Sequence, residues 1–137
     1  VEICGTKPPL PQEILKARQL LDGVPDGLTP LGVARHLAAL PDVNGDGERY
    51  THEWAVRSNP MIAQFFAATN DGGGGLNDQV PWCAAFVNWC LWRAAYKRSN
   101  SATSGYFRCF GKAGKPPKEG DIAVFKDRGQ GARGHDD

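Results

Sequence analysis

Three things are scarce in this 137-residue chain, and each scarcity removes a class of protein. No apolar run approaches the roughly 20 residues that span a bilayer. Nor does the N-terminus carry the basic start and apolar stretch of a signal peptide, so the expectation is a removed leader or an export route that uses none. Charge of one sign is lacking as well: 16 Lys+Arg against 15 Asp+Glu leave a formal charge of +1, which argues against nucleic acid or an anionic membrane as partner. Cysteine comes third. Four are too few to frame a disulfide miniprotein of this length, and they lack the paired spacing of a zinc site. There are no internal repeats. A composition of 41% hydrophobic and 23% charged residues describes one globular core with an appended subdomain.

The first half of the chain reads as helical. Ile14, Leu15, Ala17, Leu20 and Leu21 recur at helical spacing from Pro11 to Leu21, with Gly23 as a stop. After a turn over 24–27, Thr29-Pro30 caps a second helix whose Val33, Ala34, Leu37 and Leu40 run to Pro41. A short third helix is expected over 51–58. Asn59-Pro60 opens a fourth over 61–68, with Ile62, Phe65 and Phe66 facing inward. The glycines at 72–75 mark a boundary between a helical subdomain, 1–71, and a catalytic half, 72–137.

Between the second and third of these helices stands Asp42-Val43-Asn44-Gly45-Asp46-Gly47-Glu48-Arg49-Tyr50-Thr51-His52-Glu53. Asp42, Asn44 and Asp46 offer side-chain oxygens at alternate positions, Gly47 permits a sharp turn, and Glu48 offers its backbone carbonyl. Glu53, twelfth in the loop and expected in the first turn of the next helix, would close the sphere with both carboxylate oxygens. The pattern resembles an EF-hand, which implies Ca2+ as the cofactor. Arg49 departs from it, standing where EF-hands carry an apolar residue that pairs with a partner loop. With a single loop, the resemblance implies a structural ion rather than a sensor; the plainer reading is an Asp/Asn/Gly-rich turn that solvates itself. His36 and His52 are isolated and read as surface or satisfied core residues.

Gln79-Val80-Pro81-Trp82-Cys83-Ala84-Ala85-Phe86-Val87-Asn88-Trp89 is the most informative stretch. Pro81 suits a first helical position, and Cys83 then sits among unpaired N–H groups at the positive end of a helix dipole, where a thiolate is stabilised. The bland alternative is a small buried apolar residue. A helix from Trp82 to about Tyr96 would present Phe86, Val87, Cys90, Leu91 and Ala94 as one buried face, with Cys83 at its start and its sulfur directed to the sheet that follows. Trp82 reads as packing beside the nucleophile, Trp89 and Trp92 as core or groove wall. Cys83 and Cys90, seven residues apart on one helix, lie about 10 Å apart along it and cannot bond to each other. If a bridge exists, Cys4 with Cys109 would tie the N-terminus to the second half, leaving Cys90 buried.

The words Pro-Trp-Cys-Ala-Ala-Phe-Val-Asn at 81–88, and Gly120-Asp121-Ile122-Ala123-Val124-Phe125 downstream, resemble the papain-fold peptidoglycan amidases and endopeptidases of the CHAP and NlpC-like superfamily. Ser101-Ala102-Thr103-Ser104 and Cys109-Phe110-Gly111 fall where that family has its Ser-Ala and Trp-Gly connection. The resemblance spans roughly 75–135 and implies an α+β fold, with a nucleophile helix packed on an antiparallel sheet and preceded by the helical subdomain. It further implies Cys83 as nucleophile, an acyl-enzyme, an oxyanion hole that includes the N–H of the cysteine, and a Gly-His pair supplying the base. That pair stands here as Gly134-His135. Asp136 and Asp137 follow where the family has an apolar strand, so the sheet is incomplete. Either the remaining strands are cleaved or absent here, or the base lies in sequence beyond this chain and Gly134-His135 belongs to a mobile loop. Asp136 and Asp137 are too near His135 to orient it. The segment 126–134 reads as a solvated basic loop that could touch stem carboxylates.

Two function classes follow. The leading one is a secreted or wall-delivered cysteine hydrolase, acting as a monomer on peptidoglycan stem peptides, steadied by calcium, serving lysis, remodelling or competition, with an immunity or inhibitor protein as its partner in the last case. Its alternative is a non-catalytic, calcium-stabilised binding module on a papain-like scaffold.

Overall fold

The computed structural model describes residues 7–41, 49–70, 82–112 and 116–124. Four α-helices carry the described fold: α1 (Pro11–Asp22), α2 (Pro30–Ala38), α3 (Pro60–Phe65) and α4 (Cys83–Arg93). Short 3₁₀ turns follow α3 at Phe66–Ala68 and stand apart at Ser104–Cys109.

Each helix begins where local chemistry satisfies its first N–H groups. Prolines occupy the first turns of α1, α2 and α3, where a missing N–H costs nothing. In α1, the Glu13 carboxylate reaches back to accept from the Leu10 N–H at 2.8 Å. Thr29 Oγ1 accepts from the Gly32 N–H at 3.1 Å, and Asn59 Oδ1 accepts from the Met61 N–H at 2.9 Å. Gly23 closes α1 through its N–H to the Gln19 carbonyl, 3.0 Å. The Arg49 guanidinium closes the α2 end by donating to the Ala38 and Leu40 carbonyls at 3.0 and 2.9 Å.

The main core collects Ala17, Leu21, Val24, Val33, Leu37, Tyr50, Trp54, Ile62, Phe65 and Phe66 together with Ala85, Trp89 and Cys90 of α4. Phe65 is its hub, with ring centroids 5.2 Å from Phe86, 5.8 Å from Trp89 and 6.2 Å from Trp82. Burying such a ring contributes about 1.5–3 kcal/mol, and the favourable tilted and edge contacts add to that. A second cluster, Ala84, Leu91 and Phe107 with Val87, Phe110 and Val124 packed on it, covers the opposite side of α4. That helix is therefore sandwiched, which is why it reads as apolar on nearly every side.

Several expectations need correction. Residues 51–58 form turns and bends instead of a third helix. The Trp54 ring N–H takes the Arg49 carbonyl at 2.9 Å, and Asn59 Nδ2 takes the Tyr50 and His52 carbonyls, both at 2.7 Å, so these acceptors are withdrawn from any helical ladder. Arg57 instead makes an isolated parallel bridge to Lys7. Glu53 is consequently not in the first turn of a helix. No strand exists among the described residues, and the Ile122–Val124 stretch of the Gly-Asp segment carries no regular secondary structure. The fourth expected helix is correct in place but tightens to 3₁₀ at Phe66. Leu15, counted among the α1 apolar positions, is exposed. No helix among the described residues is long and apolar enough to cross a membrane.

Candidate active site

Helix α4 starts at Cys83 itself, with Trp82 as the flanking cap residue, whose side chain makes no capping hydrogen bond to the helix. The first backbone bond of the helix runs from the Phe86 N–H to the Trp82 carbonyl, 2.9 Å. The N–H groups of Cys83, Ala84 and Ala85 are thus the orphans of the first turn, and they converge at the end of the helix that carries partial positive charge. Proline 81, expected at the first helical position, precedes this start by two residues and lies outside the described residues. So does the far end of the expected helix differ: it stops at Arg93, not Tyr96. There Ala95 adopts φ 64°, and the N–H groups of Ala95 and Tyr96 bond back to the Trp92 and Leu91 carbonyls at 3.0 and 2.8 Å, a Schellman closure.

Cys83 is exposed, and the sheet toward which its sulfur was expected to point is not found among the described residues. The expected buried face of Phe86, Val87, Cys90, Leu91 and Ala94 is also shifted: Ala84, Ala85, Asn88, Trp89, Cys90 and Leu91 are the buried positions. Two layers press on α4 rather than one, so the burial covers a wider arc than a single stripe. Cys90 lies inside, and burial pushes its thiol up to about 12, which keeps it protonated and unreactive. Cys109 is a free, exposed thiol, so the expected Cys4–Cys109 bridge is not made; Cys4 itself lies outside the described residues.

Trp82, the residue before Cys83, is held on several sides. Its ring stacks at 28° on Phe65 and meets Phe86 edge-on at 6.2 Å, while its Nε1–H donates to Glu53 Oε2 at 3.3 Å. The final acidic residue of the Asp/Asn-rich loop is thereby bonded to the residue next to Cys83. Asp42, Asn44, Asp46 and Glu48 lie outside the described residues, and so does His135. Among the described residues neither His36, on the last turn of α2, nor the exposed His52 hydrogen-bonds Cys83.

Asn88 is the residue that reading along the chain left without a role. It is fully buried, one turn and a half beyond Cys83. Its Nδ2 donates to the Ala84 carbonyl (3.0 Å), Ser99 Oγ (3.1 Å) and the Ser101 carbonyl (2.9 Å). Its Oδ1 accepts from the Ser99 N–H at 2.8 Å. An asparagine among apolar neighbours must find such partners or pay a heavy desolvation cost. That was the available signal: a polar side chain at a helix position whose neighbours on both sides are buried. The result fixes the 99–101 connection against the nucleophile helix, and Val124 of the Gly-Asp segment packs on the same side of α4.

The arrangement is thus an exposed cysteine at the start of a helix, next in the chain to a packed tryptophan and among the first N–H groups of that helix. The family model described as CHAP domain matches residues 75–135, the stretch that holds this helix start. No curated protein and no solved structure matches the chain. The match supports the CHAP superfamily and, with it, a peptidoglycan hydrolase type of function; CHAP domains are typically amidases or peptidases.

Proposed function

We propose that this chain is a cysteine amidase or endopeptidase that cuts amide bonds of peptidoglycan stem peptides, with Cys83 as the nucleophile. The exposed thiol at the first position of α4, beside N–H groups that lack intrahelical partners, is the observation that carries the reading. The Cys83 thiol gives its proton to His135 and its sulfur attacks the amide carbonyl carbon; the oxyanion so formed is held by the N–H groups at the helix start. The C–N bond then breaks, the leaving amine takes a proton from His135, and a thioester remains on Cys83. Water, deprotonated by the same histidine, attacks the thioester and releases the carboxylic acid and the free thiol. The role of His135 follows from its place in the Gly-His motif within the matched region.

Ca2+ belongs to the same proposal. The donor set Asp42, Asn44, Asp46, the Glu48 carbonyl and Glu53 is all oxygen, as a hard cation requires, and Glu53 presents an exposed carboxylate beside Trp82. The ion would supply local rigidity and no chemistry of its own. Action on the wall places the working protein outside the cytoplasmic membrane.

The experiment is mass spectrometry of muropeptides released from purified sacculi, with calcium present, by this chain and by Cys83→Ala. Products should fall at least ~10³-fold in the variant. Equal products from both would remove Cys83 from the mechanism, and none from either would favour a binding module. Calorimetric calcium titration tests the ion separately: heat is expected from the parent and a much weaker response from Glu53→Gln, and identical curves would sink the site.

A further inference from the structure

At the far end of α4 from Cys83, an open cleft of about 310 Å³ lies between the end of α1, the α1–α2 turn and the last turn of α4. Leu21, Asp22, Asp26, Trp89, Trp92 and Arg93 line it. Trp89 and Trp92 form two of its walls, with ring centroids 5.9 Å apart and planes inclined at 57°. Trp89 belongs to the core, but Trp92 is 52% exposed, a large apolar surface left to solvent near the end of α4. Arg93 is committed to the wall: its NH1 pairs with Asp26 Oδ1 at 2.9 Å, and its NH2 donates to the Val24 carbonyl. Asp22 is different. It is exposed, and its carboxylate has no hydrogen-bond or ion-pair partner among the described residues.

The lining thus holds two carboxylates against one guanidinium, one surplus negative charge beside two inclined indoles. From this geometry we infer that the cleft binds a primary alkylammonium group carried on a peptide side chain. Indole faces attract a cation and also cover the methylene stem that carries it. The free Asp22 carboxylate selects a primary ammonium, which has N–H groups to donate; a quaternary ammonium has none and would need aromatic walls on more sides. An anionic group is repelled by the surplus charge.

Cys83 and Trp92 are nine residues apart on one helix, about 14 Å along its axis and about two and a half turns around it, so they stand on opposite sides of α4. The cleft is therefore a site apart from the bond that is cut, and ammonium binding does not require the proposed function.

The test is a titration of the ¹⁵N-labelled protein with Nα-acetyl-lysine amide, followed at the Trp92 indole N–H. A saturable shift, with a dissociation constant on the order of millimolar, is expected. Asp22→Asn, followed at the same signal, and Trp92→Ala, followed at the Trp89 indole, should each weaken binding about fivefold or more. Nα-acetyl-norleucine amide, which keeps the stem and lacks the ammonium, should give no saturable shift. Cys83→Ala should bind like the parent, so a failure of the hydrolase reading leaves this result intact, and the reverse. The inference is overturned if the norleucine compound binds equally well, if N-acetylglucosamine shifts Trp92 in preference to the lysine compound, if Asp22→Asn changes nothing, or if no shift occurs.

Discussion

Replacing Glu13 should cost more than any other single change of charge in the described structure. Its carboxylate is almost wholly buried, with 6% of the side chain exposed, and it is gripped on two sides. Arg57 donates twice, Nε to Oε1 at 2.8 Å and NH2 to Oε2 at 2.5 Å, and the Leu10 N–H donates at 2.8 Å. Glu13→Ala removes the helix cap, about 1 kcal/mol. It also strips a bidentate partner from Arg57. Breaking a fully buried pair costs about 3–5 kcal/mol, but a third of the Arg57 side chain reaches solvent. A discounted loss of about 1–2 kcal/mol is therefore expected, and the total is about 2–3 kcal/mol. At a few degrees per kcal/mol for a chain of this size, Tm should fall by about 10 °C.

The same pair sets a pH signature. The hydrogen bonds from Arg57 hold the Glu13 carboxyl below its ordinary value of 4.5, against the opposing effect of burial. A depressed folded-state value means that the stabilisation is present in full above pH 4.5 and is lost as pH falls through that value toward the folded one. Urea unfolding followed by circular dichroism, at neutral pH and near pH 3, checks both parts. Glu13→Gln, which keeps an acceptor for the Leu10 N–H, should lose about 1–2 kcal/mol at neutral pH and converge on the parent in acid. A loss under ~0.5 kcal/mol for Glu13→Ala, or a gap between Glu13→Gln and parent that is unchanged in acid, would refute the reasoning.

Two further outcomes are expected at and around α4. Ala95 closes α4 at φ 64° in a conformation that disfavours a Cβ, so Ala95→Gly should stabilise the fold by about 0.5–1 kcal/mol in urea unfolding; a destabilised variant would mean the closure is not populated. Iodoacetamide in native buffer near pH 8, read by peptide mass spectrometry, should modify Cys83 and Cys109 and spare Cys90 until urea is added. Labelling of Cys90 at the rate of the other two would contradict its burial.

The helices that declared themselves through proline and a capping side chain, α1, α2 and α3, were legible because start signals and apolar spacing agree there. The stretch 51–58 misled because its decisive interactions are not periodic. Asn59 and Trp54 take carbonyls from residues five to nine positions away, and no spacing rule encodes that. For α4 the motif located the helix and its cysteine, but the wide apolar arc could not say which face was buried, because two separate clusters claim it. Asn88 escaped for the opposite reason: beyond the Ala84 carbonyl of its own helix, its partners lie eleven to thirteen residues on, where no spacing rule looks for them. The cleft was invisible altogether, since it joins the end of α1 to the end of α4 across the intervening chain.

Asn59 has a consequence for how this protein can change length. Its oxygen starts α3 while its nitrogen holds the Tyr50 and His52 carbonyls, so one planar amide measures the distance between the exit of the acidic loop and the next helix. The intervening residues look like a loop that could take an insertion anywhere. Yet a residue added between His52 and Asn59 would have to bulge outward without moving either end, or α3 would lose its cap. Tolerance to insertion should therefore be poor here despite the irregular backbone, and a scan of single-glycine insertions across 50–59 would trace the ruler that this side chain provides.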